Sequence, residues 1–191
     1  MTTLLGEVRA LTPMRPLTLA EGLGIAEVQA QLVLAAGEVV TAPVPDRVVT
    51  EFPRVRVTRE VHFPVSGASH WAAGTWAIIV NADEALVRQR FTMAHELKHV
   101  LDAVHTPGLL YPAIGTFTTH RRTEQVCDHF AACLLMPRSL VKRVFCNDKV
   151  QEPAEIAHRF RVSQVAMRRR LVALGLLDKE QRCATIGTVH S

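Results

Sequence analysis

Within the run RFTMAHELKHVLDAV, two histidines stand four residues apart, His95 and His99, with Glu96 beside the first. On a helix, positions four apart lie one above the other, close enough for two imidazoles to share a metal ion. The Glu96 carboxylate falls about a quarter-turn round, within reach of a water on that metal. Zinc held by three protein ligands keeps a fourth position for water and lowers the pKa of that water to about 7. A neighbouring glutamate then takes the proton as the water attacks a carbonyl. H-E-x-x-H therefore points to metal-assisted hydrolysis, with one zinc per chain. Five residues can match by accident, so the reading needs a helix and a third ligand.

The local sequence supports the helix. Asn81-Ala82-Asp83-Glu84 reads as a capping box, with Asn81 as N-cap and Glu84 reaching back. From there to about Val104 no glycine or proline intervenes. Leu86, Met93, Leu97, Val100, Leu101 and Val104 recur mostly at three- and four-residue spacing, which predicts one buried stripe. Pro107-Gly108 then ends the element. His95 and His99 fall next to the stripe, which places the metal half-buried against the core.

Two residues compete for the third ligand. Glu124, 25 residues beyond His99, lies in TEQVCDHFAACLLMP, a second predicted helix from near Thr123 to Met136-Pro137. Val126, Phe130, Ala131 and Leu134 give that helix an apolar side. Asp128, one turn on from Glu124, is placed to accept the spare N–H of a ligand histidine and fix its tautomer. The competitor is His105. Counted from His95 the chain reads H-E-x-x-H-x-x-D-x-x-H, a metzincin pattern with Asp102 in place of glycine. That glycine permits a sharp turn, and aspartate tolerates the left-handed conformation less well. Glu124 is preferred because it brings a coherent helix and a partner at i+4; His105 then reads as a polar residue at a frayed helix end.

The runs RQRFTMAHELKHVLD, EQVCDHFAACLLMP and AEIAHRFRVSQVAMRRRLVALGLL resemble, in that order, the ImmA/IrrE family of zinc metallopeptidases, over roughly residues 75 to 178. The resemblance implies that His95, His99 and Glu124 hold the metal, that Glu96 is the base, and that Asp128 supports a ligand. It further implies that the target is a helix–turn–helix transcriptional repressor, often encoded nearby in phages or mobile elements. Cleavage would release the genes that such a repressor silences. Two positions depart from the family's usual residues: Cys127 replaces alanine, which reads as harmless, and Asp128 replaces the common asparagine.

Composition sets outer limits. At 191 residues the chain is one domain, or one with a small appendage, and its 48% hydrophobic content excludes wholesale disorder. A net charge of +4 permits a nucleic-acid or acidic partner without requiring one. The amino terminus lacks a basic-then-apolar signal organisation. The longest apolar stretch, around Leu32 to Val40, is broken by Gly37 and Glu38, so no membrane partner is expected. Cys127, Cys133, Cys146 and Cys183 show no C-x-x-C spacing; they are expected as reduced thiols in a cytoplasmic protein, not as a zinc–cysteine site.

The expected fold is α+β: a small twisted β-sheet packed on a zincin-like H-E-x-x-H helix and a second ligand-bearing helix. The expected organisation is an N-terminal helical segment (1–45), a zinc metallopeptidase core (46–150), and a C-terminal helix–turn–helix-like subdomain and tail (151–191). LTLAEGLGIAEVQAQLVLAA, residues 17–36, reads as an amphipathic packing helix, preferred over a helix–turn–helix fragment hinged at Gly22 and Gly24. Strand character appears at Val48-Val49, Arg54 to Thr58, Val61 to Phe63 and Thr75 to Val80. WAIIV, ahead of the metal helix, would pair with extended substrate if one of its edges is free. Ser66 to Ser69 reads as a loop near the cleft.

The segment 106–122 reads as a cleft-lining loop in which Tyr111 and His120 are candidates to stabilise the oxyanion, with a surface or packing role preferred for each. Residues 153–177 have a helix–turn–helix shape, starting at Pro153, turning at Arg161-Val162-Ser163 and ending at Gly175. Ser163, Gln164, Arg168, Arg169 and Arg170 are its candidate DNA or partner contacts. The arginines fall late in the second helix, whereas base readout uses its start, so a structural or docking role is preferred. The main functional expectation is a zinc endopeptidase acting on a specific protein. Its alternative is a DNA- or repressor-binding regulator, or a toxin–antitoxin component, with zinc structural or proteolysis incidental.

Overall fold

The computed structural model describes residues 3–105, 107–115 and 117–178. In chain order the elements are α1 (Leu4–Ala10), α2 (Leu19–Ala36), α3 (Arg47–Thr50), β1 (Val55–Glu60), β2 (Gly67–Ala72) and β3 (Thr75–Asn81). There follow α4 (Leu86–Asp102), α5 (Pro107–Leu110), α6 (Thr119–Leu135) and α7 (Arg138–Lys142). A π-helical turn at Arg143–Asn147 then leads to α8 (Pro153–Phe160) and α9 (Gln164–Ala173). The class is α+β, as expected.

The three long helices make the scaffold. Thr18 and Glu21 form a capping box at the start of α2, with the Thr18 backbone N–H donating to the Glu21 carboxylate at 2.8 Å. The helix is continuous through Gly22 and Gly24, with no hinge. By length and composition α2 meets the requirement for crossing a bilayer, which the 32–40 stretch did not. Here Ala26, Ala30 and Val33 are buried in the common core. Thr118 caps α6, accepting from the Arg121 N–H at 3.2 Å, so that helix begins a turn earlier than expected and gains His120.

Within α4, Met93, Leu97, Val100 and Leu101 are buried, whereas Leu86 at its start and Val104 past its end are exposed. The expected capping box is absent. Asn81 ends β3, where it accepts from the Asp83 N–H and donates to the Phe63 carbonyl, each at 2.9 Å. Glu84 accepts from the Ser66 hydroxyl, while the Gln89 amide donates to the carbonyls of Ala82 and Glu84. These contacts replace the box and delay the helix to Leu86.

The sheet order is β1-β3-β2, with β1 parallel and β2 antiparallel to β3. Ala73 and Gly74 close the β2–β3 hairpin with both φ angles positive, at 49° and 77°, the type I′ pattern that suits strand twist. WAIIV lies in β3, whose edges are both occupied, so the expected pairing of that strand with substrate is removed. Val48-Val49 form part of α3, not a strand; both are buried, and β-branched residues bury equally well in a helical turn. Val61 to Phe63 form an exposed turn, with His62 left-handed at φ 57°. Conversely, the segment read as a loop at 66–69 enters β2. One hydrophobic core draws Val8, Val33, Leu97, Phe130 and Phe160 from all three expected segments.

Candidate metal centre and active site

α4 and α6 pack face to face and bring three donors together. The Nε2 atoms of His95 and His99 are 3.2 Å apart. The Glu124 carboxylate straddles them, with Oε2 3.3 Å from His95 Nε2 and Oε1 3.3 Å from His99 Nε2. Two imidazole nitrogens and a carboxylate converging on one point form the donor set that zinc takes in hydrolytic sites. The residues therefore fit the metal that the sequence implies. Asp128 Oδ1 lies 2.9 Å from His95 Nδ1, so the carboxylate holds that N–H and leaves Nε2 free to donate its lone pair.

Glu96 borders the same place but faces β2. It is 9% exposed, and the Ser69 hydroxyl donates to its Oε2 at 2.8 Å. Gly67 makes this approach possible. A Cβ there would stand 2.4 Å from Thr92 Cγ2 and 2.9 Å from the Ile79 carbonyl, so only glycine lets β2 lie this close to α4. A cavity of about 310 Å³ opens over the site, walled by Gly67, Arg88, Phe91, Thr92 and the four residues His95, Glu96, Glu124 and Asp128. Arg88, Phe91 and Asp128 also wall an adjoining cavity of about 230 Å³ that reaches Ser163, Val165 and Arg169.

The two histidines differ in their metal-free state. Burial lowers the basicity of His95, but the Asp128 hydrogen bond and the charges of Asp128, Glu124 and Glu96 outweigh it and raise its pKa. Burial dominates at His99 and lowers its pKa, with the charge of Glu96 opposing. Burial also holds the Cys127 thiol well above its ordinary pKa.

The other candidates are placed variously. His120 is exposed, with Nδ1 3.7 Å from Glu124 Oε1, at the rim of the site. Tyr111 is buried, and its hydroxyl donates to Asp102 Oδ2 at 2.9 Å, so it packs away from the cavity and is not brought to the oxyanion position. His105 is not gathered with His95 and His99. α4 runs helically through Asp102, without the turn a metzincin needs, and His105 is buried past its end rather than frayed into solvent. On α9, the Ser163 hydroxyl caps the helix by accepting from the Ala166 N–H at 3.1 Å. Arg170 is buried and donates from Nε to the Met136 carbonyl at 3.0 Å, which removes it as a DNA contact. Gln164 and Arg169 are exposed and Arg168 half-buried.

Sequence reasoning put Ser66 to Ser69 near the cleft but gave Gly67 and Ser69 no role, and it missed a buried network under the site. Lys98, fully buried, donates to Asp102 Oδ1 at 2.5 Å, beside the Tyr111 hydroxyl on Oδ2. A glycine and serine in a short β run were the available signal for the first two.

No curated protein matches the chain by sequence. Among solved structures, a Mycobacterium tuberculosis transcriptional regulator superposes with a TM-score of 0.56 at 15% identity, over 88% of this chain and 51% of that one. The present chain thus spans about half the length of that regulator, and the likeness shows a shared fold. A peptidase family model, described as the IrrE N-terminal-like domain, matches residues 53–172, a span holding the whole donor set. The chain belongs to this IrrE N-terminal-like family of peptidases.

Proposed function

We propose that this protein is a zinc-dependent endopeptidase acting on a specific protein substrate. The observation that carries the reading is the convergence of His95, His99 and Glu124 within 3.3 Å, with Glu96 on the wall of the same cavity. His95, His99 and Glu124 would hold the zinc, which would supply polarisation of the scissile carbonyl and acidification of a water. The Glu96 carboxylate accepts the proton from that water and returns it to the leaving amine. Ser69 holds Glu96 Oε2, fixing the carboxylate's direction. Asp128 fixes the His95 tautomer. His120, at the rim, is the residue that reaches toward the carbonyl oxygen as charge develops there.

Substrate backbone enters in extended form along the outer edge of β2, the edge strand beside Glu96. The groove continues past Phe91 to α9, so that the C-terminal helices take part in docking the substrate protein. A helix–turn–helix repressor as substrate rests on the family resemblance. The test is a Glu96→Gln protein. It should keep one zinc, lose hydrolysis of a helix–turn–helix repressor substrate, and retain that repressor in a stable complex. Undiminished cleavage by Glu96→Gln would refute the assignment of the base.

A further inference from the structure

Cys127 stands three residues after Glu124 on α6, so both side chains leave the same face of that helix toward α4. The residue is fully buried. Its Sγ and one ring nitrogen from each of His95 and His99 all lie within 4.8 Å of one another. The histidine pair is thus met twice from α6: by the Glu124 carboxylate at the open side and by a thiol from beneath. Thiolate and imidazole are both good zinc donors, and they combine in tetrahedral sites.

We propose that Cys127 is a fourth protein donor to the metal, so that the resting centre is closed. The proposal rests on the reading of His95, His99 and Glu124 as ligands. As the sulfur binds, its S–H bond breaks, the proton leaves to solvent and the sulfur lone pair passes to the metal; nothing is oxidised. Four protein donors leave no position for water. Hydrolysis then requires the thiolate to leave the metal, which makes this cysteine a built-in restraint on the site.

Another thiol, Cys133, lies with Glu27 and His129 in a similar cluster. There Arg138 and Arg170 stand 3.3 and 3.9 Å from the Glu27 carboxylate, and their charge opposes a cation. That cluster serves as the control.

The test is X-ray absorption at the zinc edge on the full chain loaded with zinc. One sulfur at about 2.3 Å is expected, beside nitrogen and oxygen neighbours at about 2.0–2.2 Å. Cobalt(II) in place of zinc should give a sulfur-to-metal charge-transfer band. Both signals should vanish in Cys127→Ala and persist in Cys133→Ser. One zinc per chain with only nitrogen and oxygen neighbours would overturn the proposal and leave the three-ligand reading standing. A sulfur neighbour that survives in Cys127→Ala would overturn it too. A folded wild-type chain that takes up no zinc would overturn that underlying reading and the proposal together. The wild-type spectrum decides the matter even if a variant fails to fold.

Discussion

At the scale of single residues, three carboxylates order the site. Glu124 bridges the two Nε2 atoms, Asp128 holds His95 Nδ1, and Glu96 is held in turn by Ser69. The raised pKa of His95 has a consequence for metal binding. Zinc needs the neutral imidazole, so protons compete with it. A pKa raised above the ordinary 6.5 keeps His95 protonated to higher pH in the metal-free protein. The protonated form is stabilised by its acidic neighbours: that contribution is fully present below 6.5 and is lost as pH rises through the folded value. Zinc affinity should therefore weaken on acidification from a pH above 6.5; in the Asp128→Asn protein, whose affinity at high pH is lower because His95 Nδ1 loses its carboxylate, that fall should begin at lower pH than in wild type. Titration of zinc occupancy against pH checks this; a midpoint unmoved by Asp128→Asn would contradict it.

At the scale of elements, α4 carries the histidines on one side and a buried ion pair on another. Lys98 and Asp102 are i,i+4 on the helix, a spacing that in sequence reads as a surface pair, and nothing in the pattern shows that Tyr111 will close over them. Removing the charge of Asp102 strands a buried ammonium, for which breaking such a pair costs about 3–5 kcal/mol. Asp102→Asn should lower unfolding free energy by that order in a denaturant titration. A loss under about 1 kcal/mol, typical of exposed pairs, would show the pair to be solvated. The two helices that carry the candidate donors were legible because period and spacing agreed and Met136-Pro137 closed the second; the first ends at Asp102, ahead of Pro107, which opens α5 instead. Their starts were not, since the loop before α4 is tied by Ser66, Gln89 and Phe63, partners distant or unpatterned in sequence. Val48-Val49 and Ser66 to Ser69 were exchanged between strand and non-strand for a related reason. Valine content reports burial as much as extension, and Gly67 is present for close approach to α4 rather than for a turn.

At the scale of the molecule, residues distant in sequence converge because α2, α4 and α6 share one core, to which α8 and α9 are tied by Met167, Leu171 and the buried Arg170. The helix–turn–helix shape was readable from Pro153, the turn at Arg161 and Gly175, and it formed as expected. Its orientation was not readable, since Arg168, Arg169 and Arg170 look alike in sequence while one of them is buried. The third candidate donor posed the same problem at a longer range: Glu124 lies 25 positions beyond His99, and only the packing of α6 on α4 closes that gap. The most direct test is zinc affinity, by chelator competition, in wild type, Glu124→Ala and His105→Gln. The account predicts one tightly held zinc in wild type, an affinity weakened at least tenfold in Glu124→Ala, and no change in His105→Gln. Full affinity in Glu124→Ala, with loss in His105→Gln, would contradict it.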